Sequence, residues 1–247
     1  MLIDADAMLG RYPRRDVGAG TAEHALAAMD RFGIDEAVVS HTLSWLHDPG
    51  AGNRALLDLV AGEPRLRPCW VMLPDTCGEL GAPDAFVREA LDGGVVAVRA
   101  YPGDHGYDLA GPDAAPALAA VAEAGLPLLL DAPQVTLPAV ERIATTHPGL
   151  PIVVGGLGYR LLRQAAGLLS RTANVHLGLA NLSSHCGLEW LVHRYGRHRV
   201  IFGTGAPTRD RAESVTRLLW SELDDDTVAA IGSGNLRTLL REQARAA

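Results

Sequence analysis

The chain has 247 residues, of which 48% are hydrophobic and 21% charged, and its formal net charge is −7. This length favours one globular domain over two, and the negative charge argues against nucleic acid or an anionic membrane as a partner. No apolar run reaches the roughly 20 residues that span a bilayer, and the first residues do not resemble a secretory signal, so we expect a cytoplasmic protein.

Short apolar or β-branched runs alternate with Ala- and Leu-rich stretches along the whole chain. This alternation is typical of repeated strand–helix units that build a parallel sheet. Eight units in a chain of this length favour a closed barrel, and no dinucleotide-binding glycine fingerprint follows the first strand. We therefore expect an α/β protein, a single (β/α)8 TIM barrel over residues 1–247 with a C-terminal helical segment at about 225–245. The predicted strands are 2–6, 36–40, 68–73, 95–100, 126–131, 151–155, 174–178 and 199–202.

Residues suited to helix ends lie between these strands. Thr21 and Gly33 predict the start and the stop of a first helix, because a Thr side chain caps free backbone N–H groups and Gly tolerates a left-handed stop. Further helix starts are predicted at Asp84, Asp113, Thr136 and Asp224, and further stops at Gly93, Gly125 and His147.

Cysteine and lysine usage restricts the chemistry. Cys69, Cys77 and Cys186 are widely scattered, which favours a reducing compartment over a disulfide framework. The chain contains no lysine, which excludes a lysine Schiff base. Its richness in Ala, Gly and Arg favours a GC-rich bacterial gene.

Two strand ends carry a family signature. The first strand runs Asp4-Ala5-Asp6-Ala7-Met8, and the last is followed by Phe202-Gly203-Thr204-Gly205-Ala206-Pro207. They resemble the strands that read Asp-x-His-x-His and Phe-Gly-Ser/Thr-Asp-x-Pro in the amidohydrolase-related, ACMSD-like TIM barrels, a family of metal-dependent hydrolases and decarboxylases. Other segments, such as Gly33-Ile34-Asp35-Glu36-Ala37-Val38-Val39 and Asn235-Leu236-Arg237, extend the resemblance over nearly the entire chain.

The resemblance implies five metal-ligand positions, and this chain differs at all of them. The four His positions hold Asp6, Met8, Asp131 and Gly156, and the Asp position holds Gly205. Zinc needs three or four N, S or O donors, so we expect no conventional zinc site and no other cofactor. The alternative is Mg²⁺ or Mn²⁺, harder cations that the carboxylates of Asp4, Asp6 and Asp131 would hold.

Polar residues at the C-terminal strand ends are the candidate site residues, because active sites of this barrel lie there. Asp6 or Asp131 is predicted to act as general base and His41 as proton donor. Arg99 is predicted to clamp a substrate carboxylate, although both acids could instead pair with Arg99 in a structural network that replaced the metal. Asp4 is expected to hydrogen-bond backbone. The other predicted substrate contacts are Trp45, Tyr101, His105 and His185, of which Trp45 is expected in a loop and His185 in a segment that could instead cap a helix.

Two functions therefore compete. The first is a metal-independent hydrolase of a lactone or ester, or a decarboxylase-type lyase, acting on a small carboxylated substrate. The second is a catalytically inactive barrel that binds a ligand or partner, which fold alone does not separate from the first. A small molecule is the expected partner in the first reading, and a homo-oligomer is compatible with both.

Overall fold

The sheet has eight parallel strands that neighbour one another in chain order. The computed structural model describes residues 1–13 and 20–246, without the side chains of residues 241–246. All eight predicted strands are confirmed, with ends shifted by a few residues. The strands are β1 (Ile3–Leu9), β2 (Glu36–His41), β3 (Leu66–Val71), β4 (Ala97–Ala100), β5 (Leu128–Asp131), β6 (Ile152–Gly155), β7 (Val175–Gly178) and β8 (Val200–Ile201).

Hydrogen bonds between β1 and the segment after β8 join the two ends of the sheet. The Ala5 N–H donates to the Phe202 carbonyl at 3.0 Å, and the Gly205 N–H donates to the Asp6 carbonyl at 2.8 Å. Ala7 also forms a parallel bridge with Ala206. The sheet is thereby closed, and the predicted TIM barrel is confirmed.

Helices connect successive strands around the outside of this barrel. Among the residues that the structure describes, no helix is both long and apolar enough to cross a membrane. The α-helices are α1 (Ala22–Phe32), α2 (Thr42–Leu46), α3 (Pro49–Val60), α4 (Pro83–Asp92), α5 (Pro102–His105), α6 (Ala115–Glu123), α7 (Leu137–Thr146), α8 (Leu162–Arg171), α9 (Gly187–Tyr195), α10 (Arg211–Leu219), α11 (Asp225–Ala229) and α12 (Asn235–Ala246).

The observed helix ends confirm some of the predicted starts and stops and contradict others. The Thr21 side chain accepts a hydrogen bond from the His24 N–H, and Gly33 adopts φ 67°, so both ends of α1 are confirmed. The caps at Thr136 and Asp224 are also confirmed. The starts predicted at Asp84 and Asp113 are wrong. The helices α4 and α6 begin without a side-chain cap and have proline in the first turn, where its missing N–H costs nothing.

The barrel interior is filled by a cluster of side chains separate from the layer between strands and helices. Ile3 and Ala5 of β1 belong to this interior cluster, as do Leu236 and Leu239 of α12. The helix α12 therefore covers one end of the barrel. The contact at 3.3 Å between the Arg237 guanidinium and Glu36, the first residue of β2, places α12 at the N-terminal end. The C-terminal ends of the strands, at the opposite end of the barrel, are therefore where we expect the site.

A close contact between α2 and α3 fixes the position of α2 above β3. The Ser44 hydroxyl donates to Oδ1 of Asn53 at 3.1 Å, and the Asn53 side chain forms two hydrogen bonds of 2.9 Å with the backbone of Val71. A Cβ atom at Gly52 would lie 2.2 Å from the Ser44 nitrogen, so only glycine allows this approach. The packing also positions Trp45, which follows Ser44.

Gly52→Ala is expected to lower the free energy of unfolding by about 3 kcal/mol, because the added methyl group must displace backbone. Urea denaturation followed by circular dichroism measures this loss. The matched control is Gly149→Ala, where a Cβ would meet no atom within 4 Å. We expect that control to stay within about 0.5 kcal/mol of the original protein. Equal stability of the Gly52→Ala protein and the control would contradict the packing argument.

Candidate active site

A cavity of about 160 Å³ opens at the C-terminal ends of the strands. This is the end of the barrel at which enzymes of the fold hold their active sites. Four predicted site residues meet here, namely Asp6, Trp45, Tyr101 and Asp131. The complete lining is Asp6, Met8, Trp45, Tyr101, Asp131, Pro133, Gln134, Gly156, Gly205, Thr208 and Arg209.

A buried arginine lies beneath this cavity and pairs with both of its acids. The Arg99 Nη2 atom lies 2.6 Å from Oδ1 of Asp6, and its Nη1 atom lies 3.9 Å from Oδ2 of Asp131. The Arg99 side chain is 4% exposed, against 14% for Asp6 and 25% for Asp131. Burial alone would lower the pKa of Arg99, but the neighbouring Asp6, Tyr101 and Asp131 raise it well above its ordinary value. Asp6 and Asp131 therefore line the cavity, whereas Arg99 does not.

Tyr101 completes this network as a neutral phenol. Its hydroxyl accepts a hydrogen bond from Arg99 Nη1 at 3.3 Å and donates to the Met8 sulfur at 3.7 Å. Burial raises the pKa of Tyr101 to about 12, which keeps its proton in place near neutral pH. Tyr101 is thus a wall and a hydrogen-bond partner rather than a base.

Asp131 is the acid whose proton affinity is tuned. Burial raises the pKa of Asp131 to about 6, the charge of Asp6 adds to the rise, and Arg99 and Arg209 oppose it. A carboxyl group with this pKa exchanges its proton close to neutral pH, as a general acid or base must. Asp131 is therefore the candidate proton-transfer residue of the cavity.

Arg209 faces the same cavity and was missed by the sequence analysis. Among the described residues, no carboxylate lies within 4 Å of the Arg209 guanidinium, whereas two lie within 4 Å of the Arg99 guanidinium. Its position four residues beyond Gly205, in the loop after the last strand, was the available signal. A partly buried guanidinium in a cavity suits a carboxylate ligand.

An aromatic wall forms one side of the cavity. The rings of Trp45 and Tyr101 stack with centroids 5.3 Å apart and planes 20° apart, and Tyr12 continues the stack at 6.2 Å from Trp45. Trp45 lies in α2 and not in the loop that the sequence predicted, because Thr42–Leu46 form a helical turn directly after β2. His105 stands edge-on to Tyr101, and its Nε2 lies 2.8 Å from the Trp45 carbonyl. It supports the wall from outside the cavity.

Two predicted histidines lie elsewhere. The Nδ1 atom of His41 accepts a hydrogen bond from the Leu43 N–H, so this histidine begins α2. It lines a separate cavity of about 400 Å³, and burial lowers its pKa. His185 is exposed beside Cys186, at a third cavity before α9. Neither histidine therefore lines the cavity that contains Asp131. The helix cap suggested for the His185 segment is wrong, because α9 begins without a side-chain cap.

The residues at the mouth do not fit a divalent cation. Asp4 is fully buried and accepts hydrogen bonds from the N–H groups of Asp6 and Thr204 and from the Thr204 hydroxyl, which confirms its predicted backbone contact and turns it from the cavity. The Arg99 guanidinium already lies within hydrogen-bonding distance of the Asp6 carboxylate. Within residues 1–13 and 20–240, no three His, Cys, Asp or Glu side chains converge on one point.

The β6 position that faces the acids is Gly155. A Cβ atom there would lie 3.4 Å from Oδ1 of Asp131 and 3.4 Å from Oδ2 of Asp6, whereas a Cβ at Gly156 would approach Pro133. A side chain at position 155 would therefore contact both acids, whereas one at position 156 would contact Pro133.

Comparison with known proteins identifies the family of this chain. The model of the amidohydrolase family named Amidohydro_2 matches residues 3–241. The chain belongs to the amidohydrolase family. A search of curated proteins returned no match to this amidohydrolase.

Solved structures reproduce the barrel of this amidohydrolase at low sequence identity. A TIM-barrel protein from Bordetella bronchiseptica superposes with a TM-score of 0.80 and 18% identity over 99% of both chains. A dihydroxybenzoic acid decarboxylase from Polaromonas, with bound manganese and 2-nitroresorcinol, gives 0.76 and 16% over 97% of this chain and 96% of its own. A 5-carboxyvanillate decarboxylase from Novosphingobium aromaticivorans, also with manganese, gives 0.75 and 17% over 98% and 96%. These likenesses establish the fold.

Asp131→Asn is expected to remove a pH-dependent part of the stability of this amidohydrolase. The folded-state pKa of Asp131, about 6, lies above its ordinary value. The stability that Asp131 contributes is therefore full below about pH 4 and is lost as the pH rises through about 6. The Asn variant should gain about 1–3 kcal/mol on the original protein between pH 4 and pH 8. Thermal unfolding at both pH values measures this, with exposed Asp58→Asn as the control. Parallel pH profiles of the two variants would contradict the raised pKa.

Proposed function

We propose that this amidohydrolase is a decarboxylase-type lyase that acts on a small aromatic carboxylate without a divalent cation. The observation that carries the proposal is that Asp131, whose pKa is raised to about 6, and Arg209 line the same cavity. One group supplies a proton near neutral pH, and the other supplies a charge that a carboxylate substrate needs.

The size and walls of the cavity favour a single ring. Ligand sites of enzymes usually enclose about 300–1,000 Å³, and an apolar cavity of about 150 Å³ in another protein holds one benzene molecule. The 160 Å³ cavity therefore suits one six-membered ring with small substituents. Trp45 and Tyr101 offer a flat surface to such a ring, and the Arg209 guanidinium binds its carboxylate.

The chemical step transfers a proton from Asp131 to the ring carbon that bears the carboxylate. An electron pair of the ring forms the new C–H bond, and an ortho hydroxyl group on the substrate stabilises the resulting positive charge. The bond between ring and carboxylate then breaks, its electrons restore the aromatic ring, and carbon dioxide leaves. Solvent returns a proton to Asp131. The overall change replaces the carboxylate by hydrogen and consumes one proton.

Asp6 and Arg99 tune this step without taking part in it. Asp6 is held by Arg99 at 2.6 Å, and its negative charge adds to the raised pKa of Asp131. In this proposal Asp6 is a positioning residue, and the catalytic role predicted from sequence falls to Asp131 alone. A hydrolase would need in addition an activated water or nucleophile beside the acids.

The similar solved structures support the substrate class. Two of them are decarboxylases of dihydroxybenzoic acid and of 5-carboxyvanillate, and both substrates are hydroxylated aromatic carboxylates. Those two structures contain manganese. We propose that in this chain the fixed positive charge of Arg99 takes the place beside Asp6 instead.

Turnover of 2,6-dihydroxybenzoate to resorcinol and carbon dioxide tests the proposal. We expect kcat/KM to fall about tenfold per pH unit above about pH 6, because the protonated fraction of Asp131 falls in that proportion. Asp131→Asn should lower kcat by at least about 100-fold, since an amide cannot supply the proton. Chromatography of the product measures both effects. Asp58→Asn, exposed and remote, is the control.

Other outcomes separate the competing functions. Full turnover by the Asp131→Asn protein would contradict the role of Asp131. Hydrolysis of a lactone or ester panel without decarboxylation would favour the hydrolase. The absence of turnover in both panels, with thermal stabilisation by 2,6-dihydroxybenzoate, would favour the catalytically inactive ligand-binding barrel.

Metal analysis tests the cation-free part of the proposal. Protein purified without chelator is expected to contain far less than one equivalent of Mn, Mg or Zn by elemental analysis. Added Mn²⁺ should leave both turnover and melting temperature unchanged, because Arg99 already neutralises Asp6. Stoichiometric metal that is lost together with activity on chelation would favour the site at Asp4, Asp6 and Asp131 instead.

A further inference from the structure

One carboxylate outside the cavity holds two residues that line it. Oδ2 of Asp104 accepts a hydrogen bond of 2.6 Å from Nε1 of Trp45 and another of 2.6 Å from Nε2 of Gln134. The Asp104 N–H also donates to Oε1 of Gln134 at 2.9 Å. Trp45 and Gln134 line the cavity, whereas Asp104 does not. We call this arrangement the Asp104 bridge.

The Asp104 bridge joins three segments that leave different strands. Trp45 lies in α2 after β2, Asp104 lies in α5 after β4, and Gln134 follows β5. Bonds to an ionised carboxylate are shorter and stronger than neutral ones, so a single side chain is able to fix all three segments.

The neighbours of Asp104 in α5 support the same two residues. His105 approaches the Trp45 carbonyl at 2.8 Å, which gives that tryptophan a second point of attachment to α5. A Cβ at Gly103 would lie 3.0 Å from Oε1 of Gln134 and 3.3 Å from its carbonyl oxygen. The close approach of α5 to Gln134 therefore depends on a glycine. The consecutive residues Gly103, Asp104 and His105 thus all lie against Trp45 or Gln134.

We infer that Asp104 is a positioning residue that sets the width of the cavity between Trp45 and Gln134, and so determines which ring substituents the site accepts. The ring itself rests on the proposed function, but the placement of Trp45 by Asp104 does not. Removal of the carboxylate frees the indole and the amide together, and the wall moves away from Tyr101.

Tryptophan fluorescence tests this placement without a substrate. Trp190 and Trp220 are 44% and 86% exposed, and Trp70 is 2% exposed. In a background with Trp190→Phe and Trp220→Phe, quenching by acrylamide therefore reports on Trp45. We expect Asp104→Ala to increase the quenching constant in this background. Asp104→Asn should keep most of the protection, because its amide oxygen still accepts both bonds.

Binding of 2,6-dihydroxybenzoate gives the second measurement. Loss of the two bonds to the carboxylate should raise its Kd about tenfold in the Asp104→Ala protein. With turnover, KM should rise while kcat changes by less than about threefold, since Asp131 is untouched. The matched control is Asp108→Ala, because Asp108 is a nearby exposed aspartate whose side chain accepts a hydrogen bond from the Ala110 N–H.

The outcomes distinguish this inference from the proposed function. A quenching constant that is unchanged in Asp104→Ala, or raised equally in Asp108→Ala, would overturn the inference. Failure of the original protein to decarboxylate any substrate would reject the proposed function only. The quenching comparison still decides the role of Asp104 in that case.

Discussion

The ion pair between Arg99 and Asp6 is the interaction on which the rest of the mouth depends. A guanidinium that is 4% exposed is costly to remove from water, and loss of its partner would leave an uncompensated buried charge. The remaining polar groups are consequently arranged around it. The Tyr101 hydroxyl accepts from the same guanidinium, and Asp131 stands 3.9 Å away, close enough to feel both charges of the pair.

The glycines of the neighbouring strands belong to the same arrangement. A Cβ at Gly203 would lie 3.1 Å from the Cβ of Asp6, and a Cβ at Gly155 would lie 3.4 Å from an oxygen of each acid. The approach at Gly203 is tighter than most Cβ contacts, so the glycine there leaves room for Asp6. The departures from the family pattern at Asp6 and Asp131 are physically linked, because the Arg99 guanidinium lies beside both acids.

The sequence predicted the barrel and about half of the site, because it locates strand ends better than it locates the residues of the connections. A residue at the end of a strand, such as Asp131 or Arg99, points into the mouth because the strand fixes its direction. A residue further along is oriented by the connection instead. The short helices α2 and α5 direct His41 and His105 to backbone partners, while Arg209 reaches the cavity from a loop whose path no periodicity describes.

Burial decreases in steps from the barrel to the solvent, and the steps match chemical roles. The Arg99 side chain, which carries a fixed positive charge, is 4% exposed, and its partner Asp6 is 14% exposed. Asp131, whose pKa is raised to about 6, is 25% exposed. Beyond them lies the aromatic wall that the Asp104 bridge secures. The opposite end is covered by the leucines of α12, which belong to the cluster that fills the barrel interior. The packing that defines the barrel is therefore separate from the mouth, where the chain departs from the family's ligand pattern.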